Sequence, residues 1–416
     1  MLERVPLLDK HLTDYAPFVA PGTLERIAEL AAPLAGARVL HLNATAFGGG
    51  VAELLATHVA LLRDAGLDAE WHVIHGSDEF FGVTKTVHNA LQGADVEWTA
   101  AMERTYLERM LENSRELEGE WDFVVTHDPQ PVALRDFVRG KPFDRDGMSW
   151  VWRCHIDLTD ADAAVWDFFR PYVEQHDASV WTMRDFVPAS LEMDRVVIAP
   201  PCIDPLSVKN LDLPDLLVRE MCRAYGVDIE RPIMCQVSRF DPWKDPIGVI
   251  EAYRLVRAEV PDVQLVLAGS MATDDPEGFH YWNLADEARG GDPDIHLVSN
   301  IQQVGAVQIN AFQRAADVVV QKSLREGFGL TVAEGLWKGR PVVGGRAGGI
   351  TLQIHDGVDG FLVDGVEDCA HRTIELLRDP ALAHEMGAAG REHVRKSFLS
   401  TRELEDWLRL FNDLRG

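Results

Sequence analysis

The stretch DVVVQKSLREGFGLTVAEGLWKGRPVV, residues 317–343, decides the fold. It contains a short valine-rich run, a loop with Gly327 and Gly329, a helix-length apolar segment and the start of a second valine run. Two strands joined in this order by a helix form a βαβ unit, in which the strands are parallel. We expect the helix to extend from about Leu330 to Lys338.

The same alternation of short β-branched runs and helix-length amphipathic stretches continues along almost the whole chain. It is typical of parallel sheets covered by helices on both faces, so the expected class is α/β. About six strand candidates fall in each half of the chain. They are 37–43, 69–76, 121–127, 149–155, 178–183 and 195–201 in the first half, and 232–238, 263–269, 294–299, 317–323, 341–345 and 360–364 in the second.

The segment PPCIDPLSVKNLDLPDLLVRE interrupts both periodicities with prolines and aspartates near residues 200–215. We place the interdomain linker there, because such composition is typical of domain boundaries. The prediction is therefore two Rossmann-like domains, residues 1–205 and 206–400. The tail, residues 401–416, has the spacing of an amphipathic helix, which we expect to pack back toward the N-terminal domain.

The net charge restricts the kinds of partner that the protein can bind. The chain has 416 residues, with 40 Lys and Arg against 67 Asp and Glu, giving a formal charge of −27. Nucleic acid and anionic membranes both bind through concentrated positive charge, so the composition argues against both. The composition is still compatible with a local basic pocket that binds a small phosphate ligand.

The N-terminal sequence lacks the apolar core of a signal peptide, and no segment has the 18 apolar residues that a membrane span needs. The five cysteines are scattered and form no C-x-x-C pair. We therefore expect a cytoplasmic protein with reduced thiols that acts on small molecules. A homo-oligomer is compatible with this composition.

Open α/β sheets bind ligands at the carboxyl ends of their strands, and three turns at such positions contain suitable residues. The first turn contains Gly48, Gly49 and Gly50, between a strand and a helix that begins near Val51. Glycines there let an anionic ligand approach the backbone, and the helix N-terminus supplies N–H groups. The alternative is a loop that binds nothing.

The second turn is SRFDPWKDP, residues 238–246. Arg239 and Lys244 flank it, and a guanidinium fork and an ammonium group at the edge of a sheet can clamp a diphosphate. The alternative is a surface ion pair with Asp241 or Asp245.

The third turn is the loop of the opening stretch, with Glu326 before the helix and Glu334 inside it. The N–H groups near Phe328 to Thr331 form an anion site at a helix N-terminus, and the two carboxylates can bracket one ligand. Acidic residues also favour helix N-termini for electrostatic reasons alone. The flanking glycines favour a binding site over this second explanation.

The segments EGFGLTVAEGLWKGRPVV (326–343) and SRFDPWKDP resemble the retaining, nucleotide-sugar-dependent glycosyltransferases of the sucrose-synthase and glycogen-synthase-like kind. These enzymes have the GT-B fold, in which two Rossmann-like domains face each other across a cleft, and the resemblance covers nearly the whole chain. FFGVTKTVHNALQG (80–93), THDPQP (126–131) and WRCHIDLT (152–159) resemble the trehalose glycosyltransferring synthases. Retaining trehalose phosphorylases are similar there too.

The resemblance implies a role in phosphate binding for several of these residues. Arg239 and Lys244 are expected to neutralise the diphosphate of the donor as it leaves, and Gly49 with Gly50 to lie against it from the N-terminal domain. Backbone amides are expected to hold the sugar and phosphate at Phe328, Gly329, Leu330 and Thr331.

The resemblance also implies contacts with the sugars. Glu334 is expected to bind the nucleotide ribose and Glu326 the hydroxyls of the donor glucose. His155 matches the family histidine beside the donor sugar, and its position after a strand favours this role over that of a structural histidine. Acceptor contacts are expected from polar groups of the N-terminal loops, at Lys85, Asn89, Asp128 and Gln130; the alternative is that these groups cap strand ends.

The implied reaction is transfer of glucose from NDP-glucose to free glucose, giving α,α-trehalose and NDP. The alternatives are a retaining trehalose phosphorylase, another GT-B glucosyltransferase with a different acceptor, a nucleotide-sugar epimerase, and a sugar-nucleotide sensor without catalytic activity. The sequence leaves the base open between ADP, UDP and GDP. It indicates no obligatory cofactor and no metal site, and no motif implies Mg²⁺.

Overall fold

The computed structural model describes residues 2–47, 49–270 and 276–416, so Gly48 lies outside the described residues. The chain divides into two compact units. The first unit comprises Met1–Pro201 and Ser400–Gly416, and the second comprises Cys202–Leu399. The last 17 residues thus belong with the N-terminal half of the chain.

The first unit is built on a seven-stranded sheet with the order β1-β3-β2-β4-β5-β6-β7. All neighbouring strands are parallel except β1, which pairs antiparallel with β3. Strand β1 is not predicted from the sequence, because its two exposed charged residues show no strand pattern. The strands are β1 Glu3–Arg4, β2 Arg38–Asn43, β3 Asp68–Val73, β4 Phe123–His127, β5 Ser149–Arg153, β6 Ala178–Trp181 and β7 Val196–Ile198.

The second unit has a six-stranded, fully parallel sheet with the order β10-β9-β8-β11-β12-β13. This is the strand order 3-2-1-4-5-6 of a doubly wound Rossmann sheet. All twelve predicted strands are present in the two sheets. Those of the second unit are β8 Ile233–Val237, β9 Gln264–Gly269, β10 Ile295–Ser299, β11 Val318–Gln321, β12 Val342–Gly345 and β13 Phe361–Val363.

Helices connect most successive parallel strands in both units; between β6 and β7 the chain forms only a short 3₁₀ turn, Arg184–Phe186. In the first unit they are α1 Thr23–Ala31, α2 Gly50–Asp64, α3 Asp78–Leu91, α4 Ala100–Ser114, α5 Leu134–Val138 and α6 Ala163–Val173. In the second unit they are α7 Asp215–Ala224, α8 Pro246–Glu259, α9 Pro276–Arg289, α10 Ala306–Ala315, α11 Leu330–Trp337, α12 Ile350–Gln353, α13 Val366–Arg378 and α14 Pro380–Ser397. The C-terminal helix is α15 Ser400–Arg415.

Helix α15 packs on the first unit through its apolar side. The side chain of Phe411 stacks on Phe123 of β4 with ring centroids 4.5 Å apart, and Asn412 donates a hydrogen bond to the carbonyl of Leu30 in α1. Leu404, Trp407, Leu408 and Leu410 of the same helix are buried with Phe411, as their spacing indicates.

The strand tryptophans Trp150, Trp152 and Trp181 are fully buried and belong to the core of the first unit. All five cysteines are buried, and none of them forms a disulfide. Of the described helices, none is both long enough and apolar enough to cross a membrane.

Candidate active site

The topology of the second sheet determines which loops meet. Strands β8 and β11 are neighbours at its centre, and the chain proceeds outward from them in opposite directions. Ligands of doubly wound sheets bind in the crevice at the carboxyl ends of the two strands where the order reverses. The loop after β8 contains Lys244 and the loop after β11 contains Glu326, so the fold brings these two predicted residues together.

Lys244 and Glu326 form a direct ion pair, with Nζ 2.6 Å from Oε2. Both side chains are largely buried, with 15% and 10% of their surface exposed. The hydroxyl of Ser323 also donates to Glu326 Oε2 at 3.2 Å. The cation proposed for the diphosphate and the carboxylate proposed for the sugar therefore form one unit, whose hydrogen bonds fix both side chains.

The loop before α11 is held in place by its own backbone conformation and by contacts with α12 and the residue before it. Gly329 is the N-cap of α11 with φ 83°, a left-handed conformation that favours glycine. Gln353 of α12 donates hydrogen bonds to the carbonyls of Phe328 and Gly329. A Cβ on Gly349 would lie 2.5 Å from the Cα of Phe328, so only glycine permits this close packing. Leu330 and Thr331 are the first residues of the helix, whose N–H groups lack intrahelical partners.

Arg239, the other predicted clamp residue, pairs with Asp241 at 3.1 Å. Its side chain is 64% exposed, in contrast to that of Lys244. This is the alternative that the sequence left open for Arg239, and its partner Asp241 is buried, with 7% of its side chain exposed.

Glu334 lies in the second turn of α11 and is buried, with 3% of its side chain exposed. Its Oε1 lies 3.9 Å from Nζ of Lys209, and its Oε2 accepts a hydrogen bond of 3.5 Å from Gln313. Lys338, one turn further, donates to the Glu334 carbonyl. Burial lowers the pKa of Lys338 to about 7. The partners of Glu334 therefore differ from those of Glu326.

In the first unit, β2 and β4 are the strands at which the order reverses. Gly49 is the N-cap of α2 and Gly50 its first residue, one position before the predicted start. Gly49 has φ −165° and ψ 166°, an extended conformation open to any residue, and a Cβ built there meets no atom within 4 Å. The backbone conformation therefore does not require glycine at this position. What Gly49 provides is open space in front of α2.

Asp128 and His155 follow the neighbouring strands β4 and β5. Asp128 has φ 63°, a strained value for a non-glycine residue, and its Oδ1 accepts a 2.8 Å hydrogen bond from the His155 backbone N–H. Burial raises the pKa of Asp128 to about 6. His155 Nε2 lies 3.0 Å from Nδ1 of His127. His127 is not among the site residues predicted from the sequence, although its place at the end of β4 is a signal that could have identified it.

The expected acceptor residues Lys85 and Asn89 lie on helix α3 and not in a loop of the first unit. The side chain of Ser77 caps this helix by accepting from the N–H of Phe80, which starts the helix before residue 80. Lys85 and Asn89 are four positions apart and share one helical face. Gln130 is half-buried in the turn after Asp128.

Lys322 and Ser323, which lie immediately after β11, are two further residues of this region that are not predicted from the sequence. Lys322 is buried and pairs with Asp245, which has φ 49° and caps α8 by accepting from Gly248. A lysine at the end of a valine-rich strand is the signal that could have identified it. Its carboxylate partner positions the loop that holds Lys244.

One group of described side chains has the spacing needed to hold a metal ion. The ligand atoms of His355, Asp359 and His393 all lie within 4.8 Å of one another. Asp359 Oδ2 accepts hydrogen bonds from both imidazoles, at 2.7 and 3.0 Å, and Asp359 Oδ1 accepts from the His355 N–H at 2.6 Å. These contacts satisfy the carboxylate, and we assign the group a structural role in tying the loop after α12 to α14.

Two family models match the chain. The model described as "Trehalose synthase, N-terminal domain" matches residues 41–188, and "Glycosyl transferases group 1" matches residues 219–393. A trehalose synthase of Rubrobacter xylanophilus is 52% identical over 419 residues, covering 100% of both chains. A trehalose synthase of Thermococcus litoralis is 45% identical over 405 residues, covering 97% of both. A trehalose phosphorylase of Pleurotus pulmonarius is only 26% identical, and the match covers 98% of this chain and 61% of that protein.

Solved structures of GT-B enzymes share the fold at low identity. The sucrose-phosphate synthase of Thermosynechococcus elongatus matches with a TM-score of 0.71 and 18% identity, covering 91% of this chain and 99% of that one. The trehalose-6-phosphate enzyme of E. coli bound with UDP-2-fluoro glucose matches with a TM-score of 0.72 and 13% identity, with 91% and 99% coverage. With its two doubly wound sheets, its matching family models and its full-length relatives, this chain belongs to the trehalose synthase family of GT-B glycosyltransferases.

Proposed function

We propose that the protein transfers glucose from NDP-glucose to free glucose, forming α,α-trehalose and NDP with retention of configuration. The observation that carries the proposal is the buried Lys244–Glu326 pair at the reversal point of the second sheet, beside the first turn of α11. A cation, a sugar-binding carboxylate and helix N–H groups together suit a phosphorylated sugar. The full-length trehalose synthase relatives support the same reaction.

The donor chemistry follows from the charge that develops during transfer. Departure of the NDP places negative charge on the phosphate, and Lys244, Arg239 and the amides of α11 are placed to stabilise it. Positive charge develops at the same time on the glucose ring, next to the carboxylate of Glu326. We propose that the acceptor hydroxyl attacks from the side of the leaving phosphate, which takes up its proton, so no carboxylate nucleophile is required. With the cations and helix N–H groups at the phosphate, the proposed mechanism also needs no metal.

The choice of acceptor rests on the first unit. The carboxylate of Asp128 can accept a hydrogen bond from a sugar hydroxyl, whereas it would repel a sugar phosphate. Of the four residues proposed for the acceptor, Lys85 alone is a cation, and it lies exposed on α3. We therefore propose free glucose rather than glucose 6-phosphate.

The test is to incubate the purified protein with glucose and each of ADP-, UDP- and GDP-glucose, ¹³C-labelled in the glucosyl group, and to identify products by NMR. We expect α,α-trehalose carrying one labelled ring, with NDP release that requires the acceptor. Parallel samples contain EDTA, or glucose 6-phosphate in place of glucose. A sugar phosphate as the main product would refute the acceptor proposal but leave the glycosyltransferase assignment intact.

A phosphorylase would instead cleave trehalose when inorganic phosphate is added without nucleotide, releasing glucose 1-phosphate. We expect no such cleavage. Binding of NDP-glucose without turnover in the presence of every acceptor sugar would indicate a sensor.

A further inference from the structure

Three histidines from neighbouring strands of the first sheet form a continuous chain of contacts. His155 Nε2 lies 3.0 Å from His127 Nδ1, and His127 Nε2 lies 3.0 Å from His41 Nδ1. The rings of His127 and His155 are within 16° of parallel, and those of His41 and His127 within 30°. Such geometry suits N–H···N hydrogen bonds in the ring planes. We call His41, His127 and His155 the histidine chain.

The register of the parallel strands explains why these residues meet. His41 of β2 pairs with Val125 of β4, and His127 lies two residues further along β4, on the same face. His127 in turn pairs with Arg153 of β5, two residues before His155. The histidine chain therefore runs across three adjacent strands, from the interior to the strand ends.

All three imidazoles are held neutral. Burial first, and then the positive charge of Arg153, lowers the pKa of His155 well below its usual value. Burial also lowers the pKa of His127 and of His41. A neutral imidazole has one N–H and one lone pair, so each N···N contact needs a donor on one ring and an acceptor on the other. The tautomers of the three rings are therefore coupled. Only two arrangements of the histidine chain make both N···N contacts hydrogen bonds: all three protons on Nδ1, or all three on Nε2.

The surroundings of His41, at the inner end of the histidine chain, determine which of the two arrangements is favoured. His41 Nε2 is buried and has no hydrogen-bond partner among the described residues. If all three rings carried the proton on Nε2, this nitrogen would be a buried N–H without an acceptor, which folded proteins rarely tolerate. If all three carry it on Nδ1, His41 buries only an unused lone pair. The second arrangement is therefore favoured.

We propose that His41 and His127 are positioning residues that fix His155 as the Nδ1–H tautomer, so that it presents a hydrogen-bond donor to the ligand. The outer nitrogen of His155 has no partner within the described part of the chain, and the residue is partly exposed. A donor there would bind a hydroxyl oxygen of the sugar. The identity of that sugar as the donor glucose rests on the proposed function; the tautomer does not.

The experiment measures the tautomer directly, by long-range ¹H–¹⁵N correlation spectra of the ligand-free protein with ¹⁵N-labelled histidine. The His155→Asn variant identifies the signals of His155 by their loss. We expect the proton of His155 on Nδ1 in the unsubstituted protein. In His41→Leu the inner donor is lost, and we expect a mixture of both tautomers at His155 and a drop of about tenfold in kcat/KM, the cost of one misdirected hydrogen bond.

Two further variants separate positioning from structure. The amide nitrogen of asparagine replaces Nδ1 of histidine, so His41→Asn is expected to keep the tautomer and most of the rate. His58 is buried beside His41, and neither of its nitrogens has a hydrogen-bond partner among the described residues. His58→Leu therefore perturbs the same core without breaking the histidine chain, and is expected to leave the tautomer unchanged.

A proton on Nε2 of His155, or an unchanged tautomer in His41→Leu, would overturn the proposal. Because the spectra are recorded without substrate, a protein with the expected tautomer that forms no trehalose would refute the proposed reaction alone.

Discussion

Lys244 is the residue whose loss should most affect the chemical step. Its ammonium group acts on charge that grows as NDP departs, so Lys244→Ala is expected to lower kcat by roughly 10²-fold or more. Steady-state kinetics with saturating donor measure this. Arg325→Ala serves as control, because it removes a cation from the same region whose guanidinium lies over the ring of Trp243. Near-normal turnover of a folded Lys244→Ala protein would remove this residue from the mechanism.

Loss of Lys244 also leaves the carboxylate of Glu326 without its ion-pair partner, which itself destabilises the fold. The double variant Lys244→Ala with Glu326→Gln removes both charges. It should regain thermal stability relative to Lys244→Ala without regaining activity. Recovery of both together would mean that the rate loss came from unfolding.

The two glutamates of the α11 region should have separable effects, since their partners differ. Glu334→Gln is expected to weaken NDP binding by roughly 10- to 100-fold, the value of a hydrogen bond to a charged group. Glu326→Gln should leave NDP affinity nearly unchanged and impair glucosyl transfer. Calorimetric titration of NDP into each variant gives both affinities. Equal losses would contradict the assignment of ribose to Glu334 and sugar to Glu326.

Asp128 should make acceptor binding depend on pH. Burial raises its pKa to about 6, so the carboxylate that would accept from the sugar hydroxyl is lost as the pH falls through 6. The KM for glucose should then rise on acidification, while His155 and His127, whose pKa values are lowered well below the usual value, stay neutral. Asp128→Asn is expected to remove this step from the pH profile. A KM that is flat from pH 5 to 8 in the unsubstituted protein would contradict the role.

The raised pKa of Asp128 affects folding stability in the opposite direction from acceptor binding. The folded protein holds the Asp128 proton between about pH 4 and 6, where the unfolded chain has released it. The contribution of Asp128 to stability therefore falls as the pH rises through this window. This contribution of Asp128 to stability thus cannot account for an improvement in acceptor binding on raising the pH.

At the scale of elements, the open space before helix α2 is expected to be a binding feature. Gly49→Val fills it with a branched side chain at an extended N-cap position, and the donor KM should rise roughly tenfold or more. Gly305→Val is the matched control, because Gly305 is also an extended N-cap glycine with room for a Cβ, in the second unit. Circular dichroism should show both variants folded. Equal donor KM values would mean that no ligand approaches α2.

At the scale of the whole molecule, helix α15 brings the C-terminus back to the first unit, and we expect its packing there to contribute to the stability of that unit. Trp407 is 3% exposed and packs against His41, His58 and Phe411. Trp407→Ala is expected to cost about 3–5 kcal/mol of unfolding free energy in that unit. Urea denaturation followed by fluorescence measures it, with Leu216→Ala, at a 71% exposed residue, as the control. A loss below about 1 kcal/mol would contradict this packing.

Local pattern in the sequence determined the fold class and the twelve main strands. Hydrophobic periodicity is a short-range property, and the parallel strands and the α/β class follow from the alternation of strands and helices, whereas the GT-B architecture was expected from the family resemblance. The same patterns identified Lys244 and Glu326 as candidates, since both follow strands. They could not identify β1, whose two charged residues are held only by pairing with β3, nor did they give the helical start of segment 80–93, which depends on the Ser77 cap.

Tertiary structure alone decided which side chains contact each other. Lys244 meets Glu326, 82 positions away, because β8 and β11 are neighbours in the sheet, whereas Arg239 pairs locally with Asp241. The histidine chain likewise depends on the register of β2, β4 and β5, which no spacing along the chain encodes. The tautomer of His155 is set by a nitrogen of His41 left without a partner in the described interior. Sequence thus specifies the chemical groups at strand ends, and the order of the strands determines which of them act together.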